Sequence, residues 1–233
     1  MFIFASKKTV YANQLFEKLK NRPNEKWLFV TEKSYFDRLN ILINDSIEIK
    51  DNITKIFFFH WNYIVPKSIY NYFECINMHT SNLPDGKGGS PLQNQILDNI
   101  VISKVNALKM SDSGLDAGPI YCSQEISLQG NLSDIWYLLS QVSFNLISKI
   151  IDENIVPVEQ PKGEFINYKR RKDNILPLES IHDLRRIYDF IRMLDDDNYP
   201  SANLIIGKYK LNFNRANFNG EKIHADVIIE KLN

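Results

Sequence analysis

The sequence predicts an α/β fold: a mostly parallel, doubly wound, Rossmann-like sheet flanked by helices and followed by a small C-terminal α+β extension. Three observations point to it. Lys55–Phe59 reads Lys-Ile-Phe-Phe-Phe, an apolar run of the kind found in parallel strands covered on both faces. Two further apolar runs, residues 2–4 and Trp27–Val30, flank a segment in which Val10, Leu15, Phe16 and Leu19 recur at near-helical spacing, which gives strand, helix, strand. Leu132–Asp152 carries Ile135, Leu138, Leu139, Val142, Leu146, Ile147, Ile150 and Ile151 as one wide stripe, the mark of a long amphipathic helix.

The remaining elements follow in order. Residues 36–43 have a helical pattern, and Pro66 opens a helix over Lys67–Tyr72, where its missing N–H costs nothing. Cys75-Ile76-Asn77 begins the next strand. Ser90-Pro91 starts a helix through Leu97, with Ser90 as its N-cap. Ile102–Lys109 and Ile120–Ser127 are strands joined through a loop that contains Asp116. After Pro157 and Pro161 the character changes, and a boundary falls near Gly163, so that residues 1–162 form the main domain and 163–233 the extension. The extension holds a basic run, Lys169-Arg170-Arg171-Lys172. It continues with a helix from about Ile181 to Leu194, which Ser180 would cap, and with strands over 203–206, 208–213 and 223–229, punctuated by Gly207 and Asn219-Gly220.

With 233 residues the chain can bury one substantial core. Lys plus Arg number 28 and Asp plus Glu number 28, so the net charge exerts no overall pull on a polyanion or a membrane surface, and an anionic ligand needs a local cluster. Cys75 and Cys122 stand far apart in sequence without metal-ligand spacing, which favours buried free thiols. No run of about 18 apolar residues occurs, and a reducing cytoplasm is the expected location.

The chemistry concentrates in Asn77-Met78-His79 and the loop after it, Leu83-Pro84-Asp85-Gly86-Lys87-Gly88-Gly89-Ser90-Pro91. Residues two apart in a strand project to one face, so Asn77 and His79 can converge while Met78 packs behind. An imidazole takes a proton from an attacking amine near neutral pH, and a carboxamide donates to an oxygen that becomes negative. Asp116, in Leu115-Asp116-Ala117-Gly118-Pro119, could orient and charge-stabilise His79 if the fold brings the two together. His60-Trp61-Asn62-Tyr63 ends the Phe-rich strand, at the edge where open α/β sheets bind ligands.

Asn-x-His at a strand end, Leu-Pro-x-x-x-Gly after it, and an Asp-x-Gly segment further on together resemble the formyltransferases that use 10-formyltetrahydrofolate. The resemblance covers residues 56–152. It implies the formyltransferase fold, catalysis by Asn77, His79 and Asp116, and no metal. It also implies a folate contact through Ile64, Pro66, Leu83, Gly88 and Asp112. The run from Phe57 to Pro66, Gly88 to Gln93, Arg170-Arg171, and Tyr188-Asp189-Phe190-Ile191-Arg192 with Tyr199 further resemble the branch that formylates nucleotide-linked amino sugars. That branch implies a dTDP-linked amino-dideoxy sugar as acceptor, with dTDP-4-amino-4,6-dideoxyglucose as the leading candidate, for surface polysaccharide or O-antigen synthesis. Lys87, Gln93, Arg170, Arg171 and Tyr199 would contact it, in a homodimer with no nucleic-acid or membrane partner. Methionyl-tRNA or glycinamide ribonucleotide as acceptor, or a non-catalytic folate-binding protein, are the alternatives.

Overall fold

The computed structural model describes all residues except 48, 50, 51, 180–182 and 233. Along the chain the elements run β1 (Phe2–Ser6), α1 (Val10–Lys20), β2 (Trp27–Val30), α2 (Lys33–Asn44), β3 (Lys55–Phe59), α3 (Lys67–Tyr72) and β4 (Cys75–Thr80). They continue with β5 (Lys87–Gly88), α4 (Pro91–Leu97), β6 (Ile102–Lys109), β7 (Ile120–Ser127), α5 (Leu132–Asp152) and β8 (Asn167–Tyr168). The tail supplies α6 (Leu184–Arg192), β9 (Ala202–Ile206), β10 (Tyr209–Phe218) and β11 (Ile223–Lys231).

By its own packing the chain forms two compact units, and both are discontinuous. The first comprises Met1–Lys87, Lys104–Ile126 and Leu139–Asn167; the second comprises Gly88–Ser103, Ser127–Leu138 and Tyr168–Asn233. Where the sequence suggested a division at residue 163, the second unit takes two earlier stretches of chain together with the tail.

The first unit is built on a six-stranded sheet in the order β2-β1-β3-β4-β6-β7. β1 pairs in parallel with β2 and β3, and β3 with β4, whereas β4 and β6 are antiparallel. The expected mostly parallel α/β sheet is therefore present. β3 lies centrally, and its run is buried on both faces: Ile56 and Phe58 pack with Ile3, Val30, Phe36 and Ile69, while Phe59 stacks on Phe4 with ring centroids 6.1 Å apart. Burying such a side chain contributes about 1.5–3 kcal/mol. The Thr9 hydroxyl caps α1 by accepting from the Ala12 N–H at 3.1 Å.

In the second unit β9, β10 and β11 form an antiparallel meander, with Gly207 in the first turn and Asn219-Gly220 in the second. Asn219 Oδ1 accepts from the backbone N–H of Glu221 and Lys222, which closes the second turn. β10 runs to Phe218, beyond the end expected at Phe213, because an irregularity between Asn214 and Asn217 carries the pairing onward. The tail helix begins at Leu184 under an Asp183 cap, which accepts from the Arg185 N–H. The expected start at Ser180 and Ile181 lies outside the described residues.

Two expected details differ. Ser90 does occupy the N-cap position of α4, but with φ 50° its side chain makes no cap bond, and its hydroxyl accepts from the Arg171 N–H instead. Pro66 stands just before α3, as its N-cap.

Candidate active site

The site lies in the first unit, at the carboxyl ends of β3 and β4, where parallel strands of open α/β sheets present ligand-binding residues. Alternation along β4 sets Asn77 and His79 on one side and leaves Met78 buried. Asn106, opposite His79 on β6, donates to the carbonyls of His79 and Ser81, fixing the strand end as β4 turns into the next loop.

The carboxylate from the distant loop reaches both β4 side chains. Asp116 Oδ2 stands 3.5 Å from His79 Nδ1, and Asp116 Oδ1 accepts from Asn77 Nδ2 at 3.3 Å. His79 Nε2 stands 3.0 Å from the carbonyl oxygen of Gly86. A carbonyl only accepts, so Nε2 carries the proton and Nδ1, the nitrogen facing Asp116, is the basic atom of the neutral ring. His79 is 5 % and Asp116 8 % exposed, so their mutual field is weakly screened by water.

The Asp116 loop is itself tightly constrained. Asp116 adopts φ 53°, a left-handed conformation that costs a residue with a Cβ about 1–2 kcal/mol. Gly118 lies against the Lys109 carbonyl so closely that an added Cβ would sit 1.8 Å from its oxygen. The Lys109 N–H donates to the Pro119 carbonyl at 2.8 Å, and Gln160 Nε2 donates to the carbonyls of Asp116 and Gly118.

Beside the trio opens a cavity of about 340 Å³, lined by Trp61, Tyr63, Ile64 and Val65, by Leu108 and Met110, and by the loop from Ser111 to Gly118. Asn77 and Asp116 form part of its wall. Trp61 is held edge-on by Phe36 and Phe58 and in turn meets Tyr63. Apolar and aromatic side chains on one side and polar loop backbone on the other suit a flat heteroaromatic ligand. Toward solvent, Asp112 pairs with Lys67 at 2.6 Å and accepts from the Tyr70 hydroxyl at 3.2 Å. The bond to Lys67 holds the Asp112 carboxyl below the usual carboxylate range.

The structure thus brings Asn77, His79 and Asp116 together and sets Ile64 and Asp112 on the cavity wall. Pro66, Leu83 and Gly88 are not among the lining residues. Gly88, in the second unit, has φ +103° and the Tyr168 carbonyl oxygen 2.4 Å from where a Cβ would stand, so its glycine serves chain packing. Lys87 lies over the Phe165 ring. In the second unit Arg170 and Arg171 are exposed, Gln93 is buried, and burial pushes the Tyr199 hydroxyl up. Gln160, Gly118, Lys67 and Tyr70 were not singled out for the site from sequence. Gly118 stood only as the glycine of the Asp-x-Gly segment, and nothing local points to Gln160. Among the described residues no group of three or more His, Cys, Asp or Glu side chains could hold a metal.

Residues 172–230 match the family model described as "Methionyl-tRNA formyltransferase, C-terminal domain". The structure of a methionyl-tRNA formyltransferase from Clostridium thermocellum is 34% identical, with a TM-score of 0.86, covering 99% of each chain. The chain belongs to the formyltransferase family. Among curated sequences, the methionyl-tRNA formyltransferase of Campylobacter lari is 33% identical over 126 residues, 52% of this chain and 41% of that protein. Of the curated relatives in general the chain spans about half the length or less, 33% of the one from Nitratiruptor and 52% of the one from Campylobacter curvus. A 4-N formyltransferase from Francisella tularensis shares the fold alone, at 18% identity and TM-score 0.64 over 88% of this chain and 93% of that one.

These findings correct the expected branch. The similarity that exceeds fold level is to proteins named methionyl-tRNA formyltransferases, which overturns the dTDP-amino sugar as acceptor, the O-antigen role and the exclusion of nucleic acid. Several of the residues that suggested sugar nucleotides have structural roles. Phe57 to Phe59 are core. Asp189 and Arg192 form a buried ion pair at 2.6 Å, and Arg192 also donates to the carbonyls of Leu128 and Gly130. Tyr188 packs on Phe218. Features that any stable version of this fold needs carry no information about the acceptor.

Proposed function

We propose that the protein transfers a formyl group from 10-formyltetrahydrofolate to the amino group of methionyl-tRNA. The observation that carries the reaction type is the meeting of Asn77, His79 and Asp116 beside a cavity of about 340 Å³ whose wall includes Asn77 and Asp116. The folate supplies an activated formyl carbon, and the chain's residues do the rest. The apolar wall from Trp61 to Val65 would hold the pterin ring, and the backbone of the loop from Ser111 to Gly118 would read its polar edge.

As the amine adds to the formyl carbon, the carbonyl oxygen becomes negative and Asn77 donates to it. The Asn77 amide has two N–H groups, so it can do this while keeping its bond to Asp116. The amine must lose a proton and the departing nitrogen must gain one. His79 Nδ1 accepts the first and returns it to the second, and Asp116 stabilises the imidazolium in between. Gly86 holds the ring by Nε2, so the basic atom stays turned toward the acid.

The acceptor rests on similarity along the whole chain to a protein named methionyl-tRNA formyltransferase, reinforced by the match over residues 172–230. In the second unit the exposed cations of residues 169–172 offer phosphate contacts on a chain whose overall charge is balanced.

The test is incorporation of labelled formyl into charged initiator tRNA with 10-formyltetrahydrofolate as donor. Wild type transfers, His79→Ala loses about 10²- to 10⁴-fold, and Asn77→Ala about 10²- to 10³-fold. Folate binding without transfer by the wild type would replace this reading with a binding role.

A further inference from the structure

We propose that Gln160 is a positioning residue that sets the Asp116 carboxylate against His79. The inference goes beyond the catalytic trio but rests on the transfer reaction above. Ile120 and Val158 exchange both backbone hydrogen bonds, at 2.8 and 2.9 Å, as an antiparallel bridge at the start of β7. Continuing that register by two residues on each side sets Gln160 opposite Gly118. From there its amide nitrogen donates to two carbonyls of the Asp116 loop, 2.9 Å to Asp116 itself and 2.8 Å to Gly118. Both N–H groups of one carboxamide are thereby committed to the backbone on either side of Ala117.

The loop needs this tie. Asp116 stands at φ 53°, a left-handed conformation that aspartate tolerates but populates less than ordinary φ, so its surroundings select it. Its carboxylate stands 3.3 Å from Asn77 and 3.5 Å from His79, and the second distance is already longer than a firm hydrogen bond. Neither would restrain a loop that relaxed toward ordinary φ. Gln160 acts on the backbone of Asp116, and it is not itself among the residues lining the cavity. Its side chain is long enough to fork across two carbonyls from an edge position, which serine or threonine could not do.

Gln160→Met keeps length and bulk but removes the donor. It is expected to lower kcat by on the order of 10- to 100-fold, since a displacement of about 1 Å at a reacting group has an effect of that size. KM for 10-formyltetrahydrofolate should change less than kcat, because the apolar side of the cavity, from Trp61 to Val65, is untouched. The pH profile of kcat should change shape, as in Asp116→Asn. A crystal structure of Gln160→Met should show the Asp116 to His79 separation lengthened beyond 3.5 Å. Wild-type kcat in the variant, or a loss of kcat with unchanged pH profile and unchanged Asp116 geometry, overturns the proposal. Should the wild-type protein transfer no formyl group, the functional reading fails, while the variant's crystal structure still decides for or against the positioning of Asp116.

Discussion

Gly118→Ala places a methyl group where the structure has no room for one. The added Cβ would stand 1.8 Å from the carbonyl oxygen of Lys109, and real Cβ contacts essentially never fall under 3.0 Å, so loop and strand must part by at least 1.2 Å. Both sides of that contact are backbone, and the Lys109 N–H to Pro119 carbonyl bond of 2.8 Å ties them together, so rotation of a side chain cannot relieve the clash. The separation therefore reaches Asp116, two residues earlier, whose contacts of 3.3 and 3.5 Å with Asn77 and His79 tolerate little displacement. Overpacking of this kind costs about 1–3 kcal/mol of stability, and a shift of about 1 Å at a catalytic group lowers the rate about 10²-fold. Formyl transfer under saturating folate measures the second effect, and urea denaturation the first. A Gly118→Ala protein with wild-type kcat and an unchanged urea midpoint would refute the reasoning that this close approach holds the carboxylate in place.

Asp189→Ala leaves the Arg192 guanidinium buried without its carboxylate partner, beside the carbonyls of Leu128 and Gly130 and the Tyr188 ring. A loss of about 3–5 kcal/mol in urea denaturation is expected. Glu74 accepts from Lys55 and Tyr121; burial raises its pKa, but these bonds and the charges of Lys55 and Lys109 together outweigh that and hold the carboxyl below its ordinary value. A lowered folded pKa stabilises the protein above the unfolded carboxylate value, about 4.3, and the contribution disappears as pH falls through the folded value. Tyr121→Phe should therefore weaken stability more at pH 7 than at pH 3, as urea midpoints at the two values would show. Burial raises the thiol pKa of both cysteines, and Cys75 is only 1 % exposed, so native protein at pH 7.5 should resist alkylation, with Cys75 slower than Cys122 and both reacting readily in urea.

Much of the sheet could be read from local pattern. The Phe57 to Phe59 run required cover on both faces, and β3 receives it from Phe36 and Ile69 on one side and Phe4 on the other. Asn77 and His79 were legible because strand alternation alone puts residues two apart together. The short strands β5 and β8 were not legible, since each is two residues long and shows no periodicity. Ser90 stands at the N-cap, as a serine before proline suggests, but that local signal does not show that its hydroxyl is engaged by Arg171, 81 positions away. The acceptor was not legible for a related reason: Tyr188, Asp189 and Arg192, part of the resemblance to the sugar-nucleotide branch, are partners in packing.

By itself the sequence determined the α/β class, the order of its strands and helices, and two of the three polar groups at the site, because hydrophobic period and strand alternation act over a few residues. Tertiary structure decided whether Asp116 reaches His79, why residue 118 must be glycine, and that Gln160 fastens the loop between them. Those contacts join positions 37 to 44 residues apart or depend on backbone pressed against backbone, and no local pattern of side chains encodes either.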